Sequence, residues 1–267
     1  MNIAADRIPE LKEMKKRPSS LDYRGDLALF ESLKVSIVGS RKPTKYSRSM
    51  TQQLASALGR AGVVVVSGGA MGIDAVAHMG AKSSCTIAVL PCGIDIQYPA
   101  VNKNLLLDIA KEGLVLSQFE EGFRATPWSF VLRNELVVAL GEVLIVGEAE
   151  LESGSMRSIE FAQKMQKEIY VFPQRLGESS ATNRLLLEGG AKAIFDIDLF
   201  VQELLQKYAK NSLFSPKVSE KKEDPFFEFC KKIPSYEELL QAFPTRVFEA
   251  ELAGEISIKN GKVYLEN

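Results

Sequence analysis

Short, uniformly apolar runs recur along the chain, each separated from the next by an amphipathic stretch. The runs Val35–Val38, Val63–Val66, Thr86–Leu90, Leu114–Leu116, Val143–Val146, Ile169–Phe172 and Ala193–Phe195 are short and rich in β-branched residues, so they read as strands. Helical periodicity covers 47–60, 73–82, 102–112, 129–140, 154–167 and 182–190. Strands that are apolar on both faces and alternate with helices predict a parallel sheet covered on both sides. The right-handed crossover then gives an α/β domain with a doubly wound, Rossmann-like sheet over residues 34–208.

Residues 1–33 are a short lead-in to that domain, and 209–224, rich in charge, Ser and Pro, read as a linker. Beyond it, helical stretches near 225–232, 235–242 and 245–253 precede GEISIKNGKVYLEN. Asn260-Gly261 between two alternating runs is a hairpin signal, because a type I′ turn needs two residues at positive φ. Three helices and a terminal hairpin predict a small winged-helix-like domain over 225–267.

Composition narrows the chemistry. Apolar residues make up 46% of the 267 and charged residues 25%, ordinary for a soluble globular protein. No apolar run is long enough to span a bilayer, and MNIAADRIPELKEMKKRP lacks the apolar core of a signal peptide. Cys85, Cys92 and Cys230 form no C-x-x-C pair, which points to a reducing cytoplasm. The lone histidine, His78, excludes multi-histidine metal sites, and no cofactor or metal is expected. A net charge of −1 means that any nucleic-acid site must be a local basic patch.

Unusual residues gather where the predicted strands end, the edge at which doubly wound sheets bind ligands. Gly39-Ser40-Arg41-Lys42 follows Val38, and Ser67-Gly68-Gly69-Ala70-Met71-Gly72 follows Val66. A loop leads from Leu90 to Lys103, Ser153-Gly154-Ser155 follows Val146, and Thr182-Asn183 follows Phe172. Glycines beside helix N-termini make an anion cradle, and Arg41, Lys42, Lys45 and Arg48 add positive charge. The spacing fits neither G-x-G-x-x-G nor the Walker loop, so a polyanion laid across several loops fits better than a nucleotide. Phe130 lies close to Arg133 and Asn134, and bases stacked on aromatics beside a basic groove are the recipe for holding a single strand. Phe130 is the candidate platform; Trp128 reads as core.

Other polar residues read as structural. Asp74 satisfies the first turn of its helix, and His78 is a hydrogen-bonded core residue. Cys85 and Cys92 are small buried fillers, while Lys164, Lys167 and Glu168 belong to a solvated face.

Six motifs, VGSRKPT, SGGAMGIDAVAHMGA, TIAVLPCGIDIQYPAVNKNL, RNELVVAL, ESGSM and TNRLLLEGGA, resemble the DNA-processing protein A family (DprA, also called Smf). They run in family order over roughly 5–200, and the tail resembles the family's winged-helix domain. The resemblance implies an extended Rossmann fold and a homodimer that binds single-stranded DNA. It also implies protection of incoming strands and loading of RecA during natural transformation, with single-stranded-DNA-binding protein as a further partner. Arg41 is then the leading DNA contact and Lys103 a weaker one. The expected set at the interface is Gly39, Ser40, Arg41, Lys42, Ser67, Gly68, Gly69, Lys103, Phe130, Arg133, Asn134, Ser155 and Asn183. Met71 and Glu135 stand where the family usually has arginine, and the lead-in is too short for the helical domain of many members.

Two other readings compete. A Rossmann group that cleaves nucleoside monophosphates also uses glycine loops, but Gly147-Glu148-Ala149-Glu150 lacks its glycine pair. An adaptor with incidental DNA binding is the other. The balance favours a binding protein over an enzyme. In the tail, TRVFEAELAG sets Glu249 and Glu251 against Arg246, so this module is expected to contact protein despite its DNA-reader shape.

Overall fold

The computed structural model describes residues 1–209, 225–230, 233–243, 247, 250, 256–259 and 261–265. The chain divides into two compact units, the second beginning after Phe214.

The first unit is built on a nine-stranded sheet. In chain order its elements are β1 (Asn2–Ala4), β2 (Ser20–Gly25), β3 (Lys34–Val38), α1 (Lys45–Arg60), β4 (Val64–Ser67), α2 (Ile73–Ala81) and β5 (Thr86–Leu90). There follow α3 (Lys103–Glu112), β6 (Leu114–Ser117), α4 (Pro127–Leu140), β7 (Leu144–Val146) and α5 (Ser155–Lys164). The unit closes with β8 (Ile169–Val171), α6 (Ser180–Leu187), β9 (Lys192–Ala193) and α7 (Ile197–Ala209). Strand order is β1-β2-β6-β5-β4-β3-β7-β8-β9. Strands β3 to β9 pair in parallel; β1 and β2 are antiparallel additions at one edge. The predicted doubly wound sheet is present, and it is mixed at that edge.

Successive strand residues feed opposite cores. Val64 and Val66 join α4, α5 and α6 on one face, while Val63 and Val65 join α1, α2 and α7 on the other. That period of two on uniformly apolar strands is why neither face is left to solvent. Strand order reverses between β3 and β7, so the crevice of a doubly wound sheet should open there.

Some expectations are corrected. The lead-in is part of the domain: Ala5, Ile8, Leu11, Met14 and Leu21 are buried in the first core. The last predicted strand stops at Ala193, and Phe195 is 86% exposed. Helix α7 falls between the last predicted strand and the predicted linker, where no element was expected. Lys167 is no solvated residue, since its Nζ donates to the carbonyls of Ala139 and Gly141 at 2.6 Å each. Glu168 accepts from Lys192 and Lys207 at 2.5 Å each; burial opposes its charge, but these hydrogen bonds hold its pKa at about 2.

In the second unit, α8 (Pro225–Cys230) and α9 (Tyr236–Ala242) precede an antiparallel hairpin of β10 (Ile256–Lys259) and β11 (Lys262–Leu265). Lys259 pairs with Lys262, and Gly261 sits at φ 72°, as the predicted tight turn requires. A capping box between Ser235 and Glu238 starts α9. The first residue of the predicted linker, Ala209, ends α7; the rest of the linker and most of the predicted helix 245–253 lie outside the described residues.

Candidate nucleic-acid interface

The crevice forms where topology places it. A cleft of about 480 Å³ lies at the upper ends of β3 and β4, between α4 and the start of α5. Each wall has a local cause. The β3 loop is held from β7: Ser40 N–H donates to the Glu148 carbonyl (2.8 Å), and Thr44 gives both N–H (2.8 Å) and hydroxyl (2.9 Å) to the Glu148 carboxylate. Thr44 also caps α1 by accepting from Ser47 N–H. Arg41 is thereby presented on a fixed loop with its side chain exposed.

Helix α4 supplies the opposite wall. A capping box between Thr126 and Ser129, with Pro127 in the first turn, fixes its start. Phe130 then has two guanidinium groups close to its ring, Arg41 at 5.1 Å and Arg133 at 5.7 Å from the ring centre. Tyr98 meets the same ring edge-on at 5.8 Å. The third wall is the start of α5, where Ser155 is buried and Arg157 exposed. Among the described residues, the buried hydroxyls of Ser153 and Ser158 have no hydrogen-bond partner, and both residues line the cleft.

The glycine loop answers to its neighbours more than to a ligand. Ser67, Gly68 and Gly69 are buried. Arg133 Nη1 donates to the carbonyls of Gly68 and, at 3.1 Å, Val89, tying β4 to β5. A Cβ on Gly68 would overlap that guanidinium, and Gly72, at φ 81°, turns the chain tightly against Ser40. Asn102 Nδ2 donates to the carbonyls of Gly69 (2.9 Å) and Ala70 (3.0 Å). Asp74 accepts from Ala70 N–H at 3.3 Å. Burial pushes the Asp74 carboxyl up, against the nearby Arg133 charge, and pushes Arg133 down.

The structure thus brings Gly39, Ser40, Arg41, Gly68, Phe130, Arg133, Asn134 and Ser155 into one cleft lining. Arg133 enters it as a buried brace, only 4% exposed. Lys42, Ser67, Gly69, Lys103 and Asn183 do not line it. Lys42 and Lys103 are exposed outside it, and Asn183 is tied to its own loop through the carbonyls of Arg175 and Glu178. The sequence reading placed Ser153 at this edge without counting it a contact, and it missed Arg157 and Ser158, although 154, 155 and 158 share one face at the start of an amphipathic helix. It also missed Asn102, whose role depends on a contact that sequence spacing does not show.

Both acids of the competing enzymatic reading are engaged. Glu148 holds the Arg41 loop, and Glu150 accepts from the N–H and hydroxyl of Ser180. Met71, at 45% exposed, borders a small pocket beside Phe130, and Glu135 is buried, accepting from Lys15 N–H at 2.8 Å.

The profile of the family described as DNA recombination-mediator protein A matches residues 3–205. The chain belongs to that family. It is 35% identical to Protein Smf of Synechocystis sp. over 69% of this chain and 48% of that one. It is also 35% identical to DNA processing protein DprA of Streptococcus pneumoniae over 67% of this chain and 65% of that one. The matched part is therefore less than two thirds of either relative. Among solved structures, DNA processing protein A from Helicobacter pylori, described with a unique single-stranded DNA binding mode, superposes with TM-score 0.74 at 44% identity. That match covers 78% of this chain and 95% of the other. The S. pneumoniae structure superposes with TM-score 0.69 at 30% identity, over 80% and 75%. The resemblance read from the six motifs is confirmed at the level of family and fold. Among the described residues, no helix is long and apolar enough to cross a membrane.

Proposed function

We propose that the cleft holds single-stranded DNA and that the protein is a recombination mediator. The observation that carries this is the Phe130 ring, with Arg41 and Arg133 beside it, at a cleft lined by unpartnered hydroxyls. A base can stack on such a ring while phosphates take the exposed Arg41 and Arg157 and the start of α5. The H. pylori relative, whose structure concerns single-stranded DNA binding, supports the same reading. Protection of incoming strands, loading of RecA, contact with single-stranded-DNA-binding protein, a homodimer and a cytoplasmic setting complete the proposal. Catalysis forms no part of it, because Glu148 and Glu150 are spent on hydrogen bonds.

Fluorescence anisotropy with labelled oligo-dT tests it. Binding should weaken steeply with salt as counterions are released. Arg41→Ala should cost about tenfold, or roughly 1.5 kcal/mol, the low end for a charge-assisted hydrogen bond. Unchanged affinity in that variant, with circular dichroism intact, would remove Arg41 from the interface. Base release from AMP by the purified protein would favour the enzymatic reading instead.

The acidic balance of the tail gives a second expectation. A chain ending after Tyr208 should keep its affinity for oligo-dT within about threefold. A tenfold or larger loss in a folded truncated protein would assign DNA contacts to the second unit.

A further inference from the structure

Outside the cleft, α4 carries a second face. Trp128, Val131 and Glu135 fall three and four residues apart, one stripe along the helix. Trp128 is the only tryptophan of the chain, and it is 53% exposed. It is also held in place: Phe119 and Phe123 stack on each other at 4.8 Å, and both meet the indole edge-on at 5.7 Å. An exposed indole with its orientation fixed by two aromatic neighbours is a ready stacking surface.

Positive charge lies at the other end of the stripe. Lys15 N–H donates to the Glu135 carboxylate at 2.8 Å, which seats Lys15 and Lys16 beside α4. The segment arrives from the lower end of that helix, where Glu13 pairs with Lys167 at 3.5 Å. It then rises to β2, whose Asp22 pairs with Ser117 at the top of β6. Lys15, Lys16 and Arg17 are all exposed. Among the described residues neither lysine makes an ion pair, whereas Arg17 is engaged with the Ala5 carbonyl. The acids nearest Phe119, Glu120 and Glu121, belong to a turn whose Gly122 N–H binds Asp95, on the β5 side. Val131 joins the two surfaces, since it belongs to this stripe and lines the cleft.

We infer that a single strand leaving the cleft continues over this outer face of α4, with a base on Trp128 and phosphates on Lys15 and Lys16. The inference rests on the cleft holding single-stranded DNA. Glu135, at a position where an arginine would add charge directly, instead anchors the segment that brings two lysines.

Oligomer length separates the two sites. Oligo-dT of about six nucleotides should fill the cleft alone, and about twenty should also reach the outer face. The longer oligomer should quench the single indole and the shorter should not, while both bind by anisotropy. In the full chain, Lys15→Gln with Lys16→Gln should make the salt dependence of the longer oligomer shallower by about 1.4, two phosphate contacts at about 0.7 each. Binding of the shorter oligomer should be unchanged. Trp128→Ala should weaken only the longer oligomer, by about fivefold or more. Because Trp128 packs on Phe119 and Phe123, the lysine variant, which disturbs no packing, is the independent check. Equal quenching by both lengths, or no quenching together with an unchanged salt slope, overturns the outer track and leaves the cleft standing. Failure of the shorter oligomer to bind overturns the cleft reading and the track with it.

Discussion

Arg133→Ala is expected to cost about 2–4 kcal/mol of folding stability, since two buried carbonyls lose a donor at about 1–2 kcal/mol each. The guanidinium is buried and donates to the carbonyls of Gly68 and Val89, joining the ends of β4 and β5 beneath the glycine loop. It also faces Asp74 across Gly68 and holds down a carboxyl that burial pushes up. Truncation leaves two carbonyls without that donor and removes the positive charge that opposes the upward push of burial on Asp74. Adding Asp74→Asn should recover only the electrostatic part of the loss, while the two carbonyls left without a donor keep the rest. Urea unfolding at an unchanged m-value measures both. A single variant within about 1 kcal/mol of the parent would mean that solvent or a shift of α4 replaces the brace.

Much of this fold was legible because its strands are buried on both faces. Uniform runs such as Val63–Val66 show their ends to within a residue, and the loops that matter begin where those runs stop. The cleft position follows from the same pattern, since strand order reverses beside β3. Helix α7 was legible too: Ile197, Phe200, Val201 and Leu204 stand at helical spacing, and a reading that counts strands passes over them.

The lead-in hid for a different reason. Its buried residues Ala5, Ile8, Leu11 and Met14 recur every third position, the period of 3₁₀ turns rather than of α-helix or strand. Strand β2, SLDYRG, is short and charged because its outer neighbour is only the three-residue β1. Side-chain roles were the least legible. Arg133 and Lys167 look like surface cations on amphipathic helices, yet both spend their donors on backbone carbonyls from segments distant in sequence. Trp128 reads as core beside a helix start, but that start lies at the rim, where the phenyl pair supports the indole from one side only.

Acid should weaken the folded protein through His78. The ring is fully buried, with Nδ1 at 2.7 Å from the Thr86 hydroxyl oxygen. That hydroxyl already donates its hydrogen to the Val65 carbonyl at 2.6 Å, so Thr86 can only accept from the ring. Nδ1 therefore carries the proton, and Nε2 has no partner among the described residues. A second proton would create a buried, unpaired cation, which burial and then the Arg133 charge both oppose; the folded pKa falls from 6.5 to about 3. Between those values the unfolded chain binds the extra proton and the folded chain does not. Stability from this group is full above pH 6.5 and is lost as pH falls toward about 3. The limiting slope is about 1.4 kcal/mol per pH unit, so roughly 2 kcal/mol should be gone at about pH 5. Asp74 acts with the opposite sign, because its raised pKa favours the folded state as it gains a proton. Comparing His78→Leu with the parent isolates the histidine, which is the only one in the chain. Urea midpoints at about pH 7 and pH 5 should separate widely in the parent and much less in the variant, whatever the variant's absolute stability. Equal losses in the two proteins would show that the ring gains its proton while folded, which requires a partner for Nε2.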